Sequence, residues 1–191
     1  MSNYLKCEQL DDAFIVRFTR PEIGNPLSRE VVERLHQIVD SIDDSIEKVI
    51  FTGTGDAFAS GANLNEIAAL SAADAPEFAR LGQSLTQKID KLPQIVIAAI
   101  NGHCFGGALD LALSCDVRIA SPNAKFAHPG AGLGIITGWS GTQRLPRLVG
   151  TANANEMFYT AAPIDAERAL QIGLIDEIAD DVVSRAFELS R

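Results

Sequence analysis

Residues 101–116 read NGHCFGGALDLALSCD, and this stretch decides the fold. An apolar run, IVIAAI at 95–100, leads into Asn101-Gly102. Gly106-Gly107 then opens a segment whose Leu109, Ala112 and Leu113 suit one buried helical face. A strand that leaves through glycines into a helix is the building unit of an α/β protein. Asp110 follows Gly107 by three residues, close to one helical turn. A backbone N–H at a helix start donates to anions, and glycine lets a ligand approach it closely. An acid one turn further in hangs over the same ligand. The segment therefore reads as half of an oxyanion site with a proton-transfer group beside it. The competing reading is structural: paired glycines serve close helix–strand packing, and an acid in the first turn favours the helix dipole.

A second exit of the same kind lies upstream. The buried strand KVIFT at 48–52 runs into a stretch dense in small residues, and residues 51–66 read FTGTGDAFASGANLNE. Gly53-x-Gly55 is not a dinucleotide fingerprint, because Phe58 stands where the third glycine belongs and no helix is expected to open there. Gly61-Ala62 is the position that exposes a backbone N–H, with small side chains leaving room for a ligand. Two such exits can each supply one donor to a single carbonyl oxygen. One donor of this kind is typically worth about 3 kcal/mol of transition-state stabilisation. The alternative is a plain surface loop.

The remaining elements follow from pattern. Residues 4–9 and 13–18 predict a hairpin turning at Asp11-Asp12. Asn25-Pro26 marks a turn, and Ser28 caps a helix with Val31, Leu35, Ile38 and Ile42 inward. A helix is expected over 76–90, strands at 95–100 and 116–120, and a short strand at 125–127. Helices are expected over 141–149 and 151–160. Asp165 caps a short helix that stops at Gly173, a last strand follows, and residues 181–191 read as the opening of another helix. Residues 1–180 form the core unit in this reading.

With 191 residues, 47% of them hydrophobic, the chain can bury a large core. Its net charge of −9 and lack of a basic stripe argue against nucleic acid as a partner. Three cysteines, Cys7, Cys104 and Cys115, have no zinc spacing, and no histidine pair has ligand spacing, so no metal is expected. The polar start MSNYLKCEQL and the short apolar runs predict neither a leader nor a membrane span, and so a cytoplasmic protein with reduced thiols. His128, in His128-Pro129-Gly130, is a candidate general base or a partner for Asp110. His36 reads as structural, and His103 as a possible neighbour of a ligand channel. Gly138-Trp139-Ser140-Gly141 approaches a nucleophile elbow but lacks its second glycine at the right offset. Trp139 and Phe105 are candidates for shaping a pocket or for the core.

Five stretches then carry a family resemblance: RPEIGNPLS, TGTGDAFASGANLNEI, IAAINGHCFGGALDLALSCDVRIAS, the GTQRLPRLVG run at 141–150, and IGLIDEI. In their order and spacing they resemble the crotonase superfamily, the enoyl-CoA hydratase/isomerase family, over about residues 13–178. The resemblance implies an α/β spiral of ββα units. It also implies a homotrimer or hexamer, and an acyl-CoA thioester substrate with no other cofactor. It places the oxyanion donors on the N–H groups of Ala62 and Gly107, and the reaction passes through a thioester enolate. Ala59, Gly61, Asn63, Leu64, Gly106, Gly130 and Leu133 are then expected along the substrate. Of the two glutamates that hydratases of the family use, the first falls on Asp110 and the second on Gly130. Asn63 stands where the family often has aspartate. The resemblance also implies a C-terminal helical region beyond residue 191. Two functions follow: hydration or double-bond isomerisation with Asp110 and His128 as the catalytic pair, or acyl-CoA binding without strong catalysis.

Overall fold

The computed structural model describes residues 4–189. Strands β1 (Leu5–Leu10) and β2 (Ala13–Phe18) form the expected antiparallel hairpin, with Asp11 at φ 50° in its turn. Helix α1 (Arg29–Asp40) starts where the Ser28 hydroxyl accepts the N–H of Val31. It buries Val31, Val32, Leu35, Ile38 and Val39. The chain then repeats one motif: a strand of a large sheet, a short strand of a small sheet, a helix. The first round is β3 (Lys48–Thr52), β4 (Ala57–Ala59), α2 (Leu64–Ala69) and α3 (Ala75–Ile89). The second is β5 (Ile95–Ile100), β6 (His103–Phe105) and α4 (Gly107–Ala112). The third is β7 (Val117–Ala120), β8 (Lys125–Ala127) and α5 (Gly130–Leu133). Helices α6 (Gly141–Val149) and α7 (Thr151–Thr160) follow, then β9 (Ile164–Asp165), α8 (Ala166–Gln171), β10 (Glu177–Ile178) and α9 (Val182–Glu188).

The large sheet has the order β1-β2-β3-β5-β7-β10 and the small one β4-β6-β8-β9. From β2 onward the large sheet is parallel, with Ile50 beside Ile97 and Ala99 beside Ile119. Strands covered on both faces need continuous apolar runs, which is why KVIFT and IVIAAI show no alternation with polar residues. The two faces nevertheless divide with a period of two. Val49, Phe51, Val96, Ala98 and Ile100 pack with the helices in one cluster. Ile15, Ile50, Ile97, Ala99 and Ile119 pack on the other side with Val182 and Ala186 of α9. The Asp181 carboxylate caps α9, and the Lys48 ammonium donates to the Phe187 carbonyl at its end.

Two expectations are corrected. The stretch 53–61, read as a loop, contains β4, and His103–Phe105 is a strand rather than a bare connection. Each small-sheet strand is at most three residues long, too short for a periodic signal, and exists because its neighbours are adjacent: Ala59 lies beside Cys104, and Cys104 beside Phe126.

Asn25, read as a turn signal, is a buried staple. It is 2% exposed and sits at φ 52°. Its side-chain amide donates to the carbonyls of Ala57 (2.8 Å), Thr54 (3.2 Å) and Phe58 (3.3 Å), and its oxygen accepts the Arg20 N–H at 2.7 Å. Alanine leaves these buried groups unpaired, at about 1–3 kcal/mol for such a group, in a backbone region that β-carbon residues avoid. We predict that Asn25→Ala lowers the unfolding free energy by about 3 kcal/mol in urea titration. A loss below about 1 kcal/mol would refute the staple.

Candidate active site

Because β4 and β6 are neighbours, the two glycine exits emerge side by side. Gly61 (φ 90°) and Gly106 (φ 54°) both occupy backbone conformations that residues with a β-carbon rarely adopt. A β-carbon on Gly61 would stand 2.5 Å from the Phe105 carbonyl oxygen and 3.0 Å from the Gly107 nitrogen, so the first exit lies directly against the start of α4. The Gly61 carbonyl accepts the Leu27 N–H at 2.8 Å. Peptide planarity then turns the Ala62 N–H away from Leu27.

Ala62 and Gly107 line one cavity of about 360 Å³. Its wall is mostly apolar, with Ile67, Leu70, Phe78, Ile136, Trp139 and Phe158 prominent, and Asp110, His128 and Thr137 bring polar groups to it. An apolar pocket with a few converging polar groups is the usual form of a small-molecule site.

Asp110 is completely buried. Its Oδ2 accepts the hydroxyl of Thr137 and, at 3.2 Å, the backbone N–H of Trp139. Its Oδ1 lies 3.6 Å from Nε2 of His128, which is also buried. Burial pushes the Asp110 carboxyl up to about 7, against the lowering pull of the Thr137 hydroxyl, the Trp139 and Gly141 N–H groups and the Arg144 charge. Burial drives the His128 imidazole down to about 4. The separation alone would suit an ion pair, but an imidazole with that proton affinity is neutral at pH 7. The pair is therefore a neutral ring facing a carboxyl poised near neutrality. The His128 ring packs on Phe158, with centroids 5.1 Å apart.

The loop that holds Asp110 is anchored to α3. The Trp139 ring is wedged so tightly that a β-carbon on Gly82 would overlap it, and one on Gly107 would stand 2.6 Å from it. Gln83 donates to the Gly138 carbonyl at 2.8 Å, and the Thr86 hydroxyl is shared between the Gln83 carbonyl at 3.0 Å and the Trp139 carbonyl at 3.3 Å. Gly141 opens α6 against the carboxyl: a β-carbon there would overlap Oδ1 of Asp110.

Of the residues expected from sequence, Gly61, Ala62, Leu64, Gly106, Gly107, Asp110, His128, Gly130 and Leu133 all line the cavity. Ala59 does not; it is buried within β4. Asn63 does not line it either, because its side chain caps α2 through the N–H groups of Asn65 and Glu66. Phe105 is absent from the lining, and His103 is exposed, stacked at 5.2 Å on Phe105. His36 is structural, bonded to the Leu81 carbonyl at 3.0 Å. Gly130 has no space for a side chain, since a β-carbon would overlap the Ile135 carbonyl oxygen. Thr137 carries no signal of its own in the sequence, and Gly141 reads there as a helix start, not as a neighbour of Asp110. Among the described residues no three His, Cys, Asp or Glu side chains converge as a metal set, and no helix is long and apolar enough to cross a membrane.

The family model described as enoyl-CoA hydratase/isomerase matches residues 11–191. The chain belongs to the enoyl-CoA hydratase/isomerase family. It is 41% identical to a crotonyl-CoA hydratase of Syntrophomonas wolfei, over 90% of this chain and 67% of that protein. It is 38% identical to a short-chain-enoyl-CoA hydratase of Clostridium acetobutylicum, over 87% of this chain and 65% of that one. The chain thus spans about two thirds of the length of these relatives. Among solved structures, the enoyl-CoA hydratase of Bacillus anthracis superposes with a TM-score of 0.92 at 33% identity, covering 97% of this chain and 74% of the other. Pseudomonas aeruginosa DspI does so with the same score at 34% identity, covering 97% and 72%. The ββα spiral is the crotonase fold of this enoyl-CoA hydratase/isomerase family.

Proposed function

We propose that this family member converts acyl-CoA thioesters through an enolate. The Ala62 and Gly107 N–H groups receive the thioester oxygen, and Asp110 moves the proton. The observation that carries this reading is the fully buried Asp110 carboxyl, poised at about 7 beside the meeting point of the two glycine exits. A group with that proton affinity can both take and return a proton near neutral pH. In double-bond isomerisation of a 3-enoyl-CoA, the carboxylate removes a proton from C2. The electrons move into the thioester carbonyl as a dienolate, and the same carboxyl delivers the proton to C4. One acid suffices for this sequence, and position 130 has no room for a second.

Hydration is the second reading. Asp110 Oδ1 and His128 Nε2, 3.6 Å apart, can share one water, and the similarity to named hydratases supports it. Incubation with a 3-enoyl-CoA and with crotonyl-CoA separates the two. Isomerisation builds conjugated thioester absorbance at constant mass, whereas hydration of crotonyl-CoA removes that absorbance and adds the mass of water. Binding of acyl-CoA with neither product above background overturns both and leaves a binding protein. A homotrimer or hexamer, a cytoplasmic location and independence from any cofactor beyond substrate-borne coenzyme A belong to the same proposal. Light scattering of the purified protein tests the assembly.

A further inference from the structure

The two oxygens of the Asp110 carboxyl have different surroundings. Oδ2 is taken by the Thr137 hydroxyl and the Trp139 N–H, whereas Oδ1 faces His128. A carboxyl group turns about its last side-chain bond in a broad, roughly two-fold well, so something must fix its plane for one oxygen to meet the reacting carbons squarely. The Trp139 N–H, at 3.2 Å, and the Gly141 N–H are backbone restraints on it. The Thr137 hydroxyl is the side-chain donor to Oδ2, and it belongs to a loop fixed to α3 by Gln83, Thr86 and the wedged Trp139 ring.

We propose that Thr137 is a positioning residue for the reaction: its hydroxyl pins Oδ2 and leaves Oδ1 as the oxygen that exchanges protons with substrate. This rests on the reading of Asp110 as the proton carrier. The hydroxyl also stabilises the charged carboxylate, so it opposes the upward push of burial. The other titratable or charged groups that act on Asp110 are His128 at 3.6 Å, the Arg144 cation of α6 and the Cys104 thiol of β6. Burial holds the Cys104 thiol well above its usual range, and therefore neutral. Within the working pH range, loss of the Thr137 hydroxyl therefore acts on Asp110 itself.

The test is the pH profile of kcat/KM for Thr137→Val, which keeps the shape of the side chain and removes the donor. A hydrogen bond to a charged group is worth about 1.5–3 kcal/mol, so the acid limb moves up by about one pH unit. Turnover at pH 7 falls about 5-fold, while acyl-CoA affinity is unchanged. Thr137→Ser restores both limb and rate. Thr137→Ala, a deletion at a half-buried loop position, gives the same displaced limb should the valine variant fail to fold. A wild-type limb and rate in Thr137→Val or Thr137→Ala overturn the proposal. An Asp110→Asn control keeps the two failures apart. If it retains turnover, the reading of Asp110 fails; if it loses turnover while the Thr137 variants do not, only the role of Thr137 fails.

Discussion

Asp110→Asn is expected to reduce turnover by about 10²–10⁴-fold, the range that a positioned acid–base group contributes, with acyl-CoA affinity retained. The amide matches the carboxyl in size, and its oxygen can still accept from Thr137 and Trp139, so the fold is not at risk. What disappears is a site that can hold a proton. The pH dependence of the unmodified protein supplies a second check. Asp110 must be ionised to remove a proton from C2, and its carboxyl sits at about 7. Activity should therefore fall as pH drops through about 7, where burial has returned the proton to the carboxyl. His128, at about 4, contributes nothing in that window. A profile flat from pH 6 to pH 8 (about one unit either side of that value), or an asparagine variant within threefold of wild type, would remove Asp110 from the mechanism.

Gly141→Ala is expected to cost about 10²-fold in turnover and, through overpacking, about 1–3 kcal/mol of stability. Gly141 is not among the positive-φ residues and opens α6, where alanine is the better helix former by about 1 kcal/mol. The added methyl, however, would overlap Oδ1 of Asp110 and stand 2.9 Å from the Thr137 side chain. Either the carboxyl or the helix must move, and a displacement of about 1 Å at a reacting group can lower a rate about 10²-fold. Turnover measured beside thermal unfolding decides the matter: a variant that stays folded at the assay temperature but is slow fits the geometry, and one equally fast does not.

Much of the architecture was written in local pattern. KVIFT and IVIAAI are apolar without alternation because both faces are covered, and Ser28, Asp165 and Asp181 stand at helix starts that the structure confirms. Gly61 and Gly106 were legible because close backbone approach leaves a compositional trace. What failed to show was set by distance in the chain. Thr137 meets Asp110 across 27 residues and Asn25 meets Ala57 across 32; neither pairing leaves a local pattern. Asn63 was assigned to the substrate through resemblance, although Asn63 followed three residues later by Glu66 is also a helix-start pattern. The cap formed, while the Glu66 carboxylate turned instead to the Arg29 N–H at 2.7 Å.

The contact between Gly130 and the Ile135 carbonyl has a consequence for placing a second acid in this site. Introducing glutamate at 130 is not a matter of one codon, because the main chain at 135–136 occupies the volume the new side chain needs. A second acid at 130 first requires a rerouted loop after α5. Whether position 130 can carry an acid is thus decided by the path of the main chain after α5 and not by the residue at 130 alone.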